Sequence, residues 1–170
     1  MENDSRMSTA VSVDPTLRLE ATEFTDALLD MVRVIQFRDR DRACCYGLSP
    51  SQCYGLKAIC DGTCLSVNEL AARLYLEKST ASRLVNSLEE MGFVVKEPDP
   101  EDRRILRIRA SPRGEAIHRA IMEDLLSESV RMLEHLDGTS RRAVTGVVRG
   151  LASSYAAGVE ASGGSCCVVR

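Results

Sequence analysis

The hydrophobic period of this chain changes twice, and that change constrains the fold more than any other feature. Up to Gly92 the apolar residues recur at steps of three and four, as on a helix. Phe93-Val94-Val95-Lys96 then reads as a strand. Ile105, Leu106 and Ile108, interleaved with Arg107 and Arg109, read as a return strand. Glu97 to Asp102 carries Pro98 and Pro100 among acids and is expected to be the turn. Ser111-Pro112 restores a helix start. One hairpin set between helices gives a mainly α fold with a small β wing, with no strand-rich α/β pattern.

The helix boundaries are written in capping signals. Asp14-Pro15 starts a long amphipathic helix, whose stripe Phe24, Leu28, Met31 and Ile35 predicts helix to about Arg42. Its other side carries Asp26, Asp30, Arg33 and Arg40. Cys44-Cys45-Tyr46-Gly47 breaks the pattern and reads as a loop. Ser49-Pro50-Ser51-Gln52 and Ser66-Val67-Asn68-Glu69 are capping boxes opening two further helices. A break at Glu77-Lys78 precedes a fourth helix, about Ser79 to Met91, closed by Gly92. A fifth ends at Asp137-Gly138, and a sixth covers about Thr139 to Gly158. The expected organisation is a disordered leader (1–13), a dimerisation helix and loop (14–46), a winged helix-turn-helix (47–111), C-terminal dimerisation helices (112–160) and a flexible tail (161–170).

Two short helices and a hairpin are the parts of a winged helix-turn-helix, whose second helix lies in the major groove of DNA. On the fourth helix Ala81, Leu84, Val85 and Leu88 share one face. The opposite face presents Ser79, Thr80, Ser82, Arg83 and Asn86, which can donate to phosphates or read base edges. Small polar residues are also common on any solvated helix. The hairpin decides between these readings, because Arg103, Arg104, Arg107 and Arg109 crowd onto it. A hairpin of structural value alone has little use for so many arginines, whereas one arginine can enter a minor groove while an acid orients its neighbour. A net charge of −3 does not oppose this, since phosphate contacts need only a local basic surface.

From Leu65 to Glu115 the sequence resembles the MarR (multiple antibiotic resistance regulator) family. The matching residues are Leu70-Ala71-Ala72-Arg73-Leu74, Lys78-Ser79-Thr80-Ala81-Ser82-Arg83, Leu88-Glu89-Glu90-Met91-Gly92-Phe93-Val94 and Pro98-Asp99-Pro100-Glu101-Asp102-Arg103-Arg104. The wing signature, an Asp followed two residues later by Arg, falls on Asp102 and Arg104. Ala110-Ser111 departs from the usual Leu-Thr. The resemblance implies six helices, a homodimer held by the first, fifth and sixth of them, and a near-palindromic double-stranded DNA operator. It implies DNA contacts from Lys78, Ser79, Thr80, Ser82, Arg83, Asn86, Asp102, Arg103 and Arg104. Family members usually repress, and a ligand or oxidant releases them.

The chain has 7 cysteines and no secretory signal, so clustered thiols point to metal binding or redox sensing rather than a disulfide framework. Cys44-Cys45 and Cys53 form a Cys-Cys-x7-Cys cluster. Cys53 falls in the first turn of a helix, where the dipole favours a thiolate. Three such sulfurs suit arsenic(III), antimony(III) or a soft divalent ion. Cys64 and the tail pair Cys166-Cys167 are possible additions. Two alternatives stand beside this one. In the first, the cysteines sense an oxidant or electrophile. In the second they are incidental, Cys53 and Cys60 filling the core, in a regulator that answers to a small organic ligand; the 4% aromatic content offers such a ligand few ring partners.

His118 and His135 are too far apart to form a local ligand pair. No nucleophile–base pair, phosphate loop or thioredoxin-like C-x-x-C is present, so an enzyme is not expected and no cofactor is obligatory. No apolar run is long enough for a membrane, and a cytoplasmic protein is expected.

Overall fold

The computed structural model describes residues 14–62 and 64–161; within this span the side chains of 40–45 are not described. The expected leader 1–13 and the tail with Cys166 and Cys167 lie outside the described residues. The chain divides into two compact units, Met1–Gly47 and Leu48–Arg170.

The first unit is one helix, α1 (Pro15–Tyr46). It continues past Arg42, so Cys44 and Cys45 belong to its last turns and not to a loop, as the sequence had suggested. The helix stops where Gly47 takes φ +68, a left-handed conformation that costs glycine little. Along α1, Phe24, Met31, Val34 and Phe37 are exposed.

The second unit holds α2 (Pro50–Gly62), β1 (Leu65–Ser66), α3 (Val67–Arg73), α4 (Lys78–Glu90), β2 (Val94–Pro98), β3 (Leu106–Ala110), α5 (Pro112–Leu133) and α6 (Gly138–Ala161). Both expected capping boxes form. Ser49 Oγ accepts from the Gln52 N–H while Gln52 Oε1 accepts from the Ser49 N–H. Ser66 and Glu69 make the same reciprocal pair at α3.

The helix-turn-helix closes by a route with no sequence signal. The turn lies at Leu74–Glu77, and Lys78 is already helical, which moves the expected break at Glu77-Lys78. Tyr75 adopts φ 53, so the Tyr75 N–H reaches the Ala72 carbonyl and the Leu76 N–H reaches that of Ala71. These are the two bonds of a Schellman closure, usually signalled by glycine. At the end of α4 Gly92 (φ +74) does the same, with its own N–H on Glu89 and that of Phe93 on Leu88.

The sheet is three-stranded, in the order β1-β3-β2, and antiparallel throughout. Two differences from the expected hairpin follow. Leu65 and Ser66 add a short strand opposite Ile108 and Arg107, too short to show a period. The expected turn at Glu97 instead continues β2 through Pro98, which pairs with Leu106. Proline is tolerated there because β2 is an edge strand and Pro98 is its last residue.

The core gathers Leu48, Leu56, Ile59, Leu70, Val85, Leu88, Phe93, Val94 and Ile108, from α2, α3, α4 and the sheet. Each fully buried leucine contributes about 1.5–3 kcal/mol. Cys53 and Cys60 pack partly buried against this cluster, as the core-filling reading expects. On α6 no residue is buried, and Val144, Val147, Val148 and Tyr155 are exposed. No described helix is long and apolar enough to cross a membrane.

Ser111 joins β3 to α5. Its Oγ accepts from the Gly114 N–H at 3.0 Å and donates to the Gly92 carbonyl at 2.7 Å, in a buried position. Ser111→Ala leaves both groups unpaired and is expected to cost about 1–2 kcal/mol, read by thermal melting. An unchanged melting temperature would show the cap to be dispensable.

Candidate nucleic-acid interface

Helix α4 places its residues as the spacing requires. Ala81, Leu84, Val85 and Leu88 are buried against the core. Lys78, Ser79, Arg83 and Asn86 are exposed, while Thr80 and Ser82 are half-exposed. Arg83 donates to Thr80 Oγ1 at 3.2 Å, which directs the guanidinium along the helix toward its N-terminal turn. That turn has no side-chain cap, since Glu77 makes no capping bond. Its backbone N–H groups and Lys78 form an electropositive end suited to a phosphate.

Asn86 is engaged. Its Oδ1 accepts from Lys96 Nζ at 2.8 Å, and Lys96 also pairs with Glu89 at 2.7 Å, so β2 is tied to α4. The Asn86 amide N–H groups are what it has left for an outside partner.

The four hairpin arginines divide into two pairs. Arg109 binds Glu97 across the strands at 2.6 Å. Arg107 donates through Nε to Asp99 and through Nη1 to Glu69 at 3.1 Å. The expectation that a structural hairpin has no use for these arginines is corrected here, because two of them neutralise acids within the wing. Arg103 and Arg104, at the tip, are exposed and have no ion-pair partner among the described residues.

The tip is held from inside. Asp99, buried, accepts through Oδ1 from the Glu101 N–H at 2.8 Å and the Asp102 N–H at 3.2 Å. Asp102 Oδ1 accepts from the Arg104 N–H at 3.0 Å. The Arg107 hydrogen bond and those two N–H groups hold the Asp99 carboxyl below its ordinary range. The Ser66 N–H and hydroxyl, then Arg107, do the same for Glu69. From sequence, Glu69 had a capping role, Arg107 counted among the hairpin arginines and Asp99 stood in the family motif, but nothing linked the three to one another.

The cysteines are less gathered. Cys53 is half-buried in the first turn of α2, and Cys64 is exposed in the link to β1. The side chains of Cys44 and Cys45 lie outside the described ones, so their convergence with Cys53 is not placed. Among the described residues, no three His, Cys, Asp or Glu side chains are grouped to hold a metal ion.

Between α2, β3 and α5 lies a cavity of about 420 Å³, lined among others by Cys60, Arg109, Glu115, His118, Arg119 and Met122. Burial, then Glu115 and Asp61, push the Cys60 thiol up, and burial pushes the His118 imidazole down. Both groups are therefore held in their neutral forms at neutral pH.

Comparison with known proteins gives a consistent result. A sequence profile described as MarR family matches residues 46–105. The uncharacterized HTH-type transcriptional regulator YsmB of Bacillus subtilis is 30% identical over 91 residues, 54% of this chain and 62% of that protein. The chain thus matches rather less than two thirds of that relative's length. The structure of a MarR family protein from Bacillus stearothermophilus superposes with a TM-score of 0.73 at 24% identity, covering 81% of this chain and 96% of that one. Streptococcus pneumoniae FabT, solved in complex with DNA, superposes with a TM-score of 0.63 at 18% identity, covering 81% and 94%. The capping boxes, the closed turn, the wing and these matches lead to one statement: the fold is that of the winged helix-turn-helix proteins of the MarR family, and residues 46–105 match that family's profile.

Proposed function

We propose that the chain is a DNA-binding transcriptional regulator, acting as a homodimer in the cytoplasm and released from its operator by an effector. The observation that carries this is the division of the wing arginines. Arg107 and Arg109 are consumed by acids, while Arg103 and Arg104 are left at the tip beside a recognition helix whose outer face offers Lys78, Ser79, Thr80, Ser82, Arg83 and Asn86. Charged donors without internal partners await an external anion, and a duplex supplies one at every phosphate. The fold shared with FabT, which was solved bound to DNA, supports the reading. The apolar residues exposed on α1 and α6 support a dimer, since stripes of this kind must be buried somewhere.

For the effector, the spacing of Cys44, Cys45 and Cys53 supports a thiophilic ion such as arsenite or antimonite, with Cys64, Cys166 and Cys167 as further donors. A specific observation favours a second reading, an organic ligand in the cavity between α2, β3 and α5. Its volume lies in the range of small-molecule sites, and Arg119 in its lining would favour an anion. The test is fluorescence anisotropy on a duplex selected by the protein from a random pool, under reductant, titrated with arsenite, antimonite, cadmium and zinc. Wild type is run beside a Cys44→Ser/Cys45→Ser/Cys53→Ser variant. Release of wild type alone is the result expected of the thiol reading. Release of neither, with release by an aromatic carboxylate that Arg119→Ala abolishes, would replace it with the organic-ligand reading.

A further inference from the structure

We infer that Asp99, Arg107 and Glu69 form a strut that positions the wing tip for DNA, so that two acids promote the binding of a polyanion. The inference rests on the DNA-binding reading. The strut is continuous. It begins at the N-cap of α3, where Glu69 Oε2 accepts from the Ser66 N–H and Oγ at 2.7 Å each. Arg107, the second residue of β3, bridges Glu69 to Asp99. Asp99 then receives the N–H groups of Glu101 and Asp102, and Asp102 receives that of Arg104.

Two backbone bonds close the same turn, Asp99 N–H to the Ile105 carbonyl at 2.8 Å and Ile105 N–H to that of Asp102 at 2.9 Å. The backbone that carries Arg103 and Arg104 is therefore fixed relative to α3, the first helix of the helix-turn-helix. Without the strut, the tip would hang on the β2–β3 ladder and these two backbone bonds, with no tie to α3. Ordering it would then be charged against binding, because preorganised groups bind more tightly than mobile ones.

The sign of the effect separates this from simple electrostatics. Removing an acid near a phosphate backbone should tighten binding by Coulomb's law. The strut requires the opposite. Asp99→Asn, Arg107→Met and Glu69→Gln are compared with wild type on the selected duplex, each alone and in an Arg104→Ala background; glutamine at 69 keeps the capping box.

Asp99→Asn and Arg107→Met are each expected to weaken binding about ten-fold, the scale of one arginine contact, and Glu69→Gln to weaken it less. In the Arg104→Ala background these losses should shrink to less than about two-fold, because the strut acts through that residue. Unchanged or tighter binding by Asp99→Asn would overturn the strut. So would an equal loss in both backgrounds, the signature of general unfolding. If Arg104→Ala itself binds like wild type, the strut fails, because the residue it positions makes no contact; the DNA-binding reading falls only if Arg83→Ala binds like wild type as well.

Discussion

Gly114→Ala is expected to destabilise the fold by about 3 kcal/mol or more, the upper end of overpacking costs. A Cβ added at Gly114 would lie 2.0 Å from the Phe93 carbonyl oxygen and 2.9 Å from its carbon. The obstruction is main chain, so no rotamer change relieves it. That carbonyl also accepts the Ser111 N–H at 2.9 Å, and Ser111 in turn donates to Gly92, so the start of β2 cannot retreat from α5 without breaking both bonds. Phe93 itself is buried in the core beneath the Arg113 guanidinium, which stacks 5.0 Å from the ring centroid. For a chain of this size the melting temperature should fall by roughly 10 °C, followed by circular dichroism. A fall of less than about 2 °C would mean that α5 can slide along the sheet.

Arg104→Ala and Arg83→Ala carry the second large effect. Each is expected to weaken DNA binding by about 1–3 kcal/mol, and the pair together by roughly a hundred-fold or more. On the proposed reading the two act in different grooves, so their effects should nearly add. Arg104 sits on a turn fixed by Asp102 and Asp99, and its side chain is exposed with no ion-pair partner among the described residues. Among the described residues Arg83 is anchored by Thr80 Oγ1, a neutral contact that a phosphate or a guanine edge would readily replace. The slope of log affinity against log salt should also fall by about one for each arginine that meets a phosphate. Neither residue touches the core, so sedimentation and melting should match wild type. Wild-type affinity in both variants would remove the assigned interface.

The helix order, both capping boxes, the Gly92 closure and the buried face of α4 were legible because each rests on local chemistry with a fixed spacing. What was not legible depends on partners far along the chain or on a backbone conformation that residue type does not signal. Tyr75 takes a left-handed conformation that residue type does not announce. The short strand β1 exists only because Ile108 and Arg107 lie opposite it. The arginines of β3 looked alike in sequence, and only the register that sets Glu97, Asp99 and Glu69 beside them separates internal ion pairs from outward-facing charge. The loop assigned to Cys44 and Cys45 failed for a related reason. The end of α1 is set by Gly47, one residue beyond Tyr46, rather than by the loss of an apolar stripe.

The most direct test of the central claim is selection of duplexes from a random pool by the wild-type chain, followed by anisotropy on the enriched sequence at several salt concentrations. A two-fold dimer reading DNA through α4 and the wing predicts enrichment of a near-palindrome with half-site centres about one helical turn apart, bound with steep salt dependence. A pool that stays random, or a selected duplex bound equally well at all salt concentrations, would contradict it.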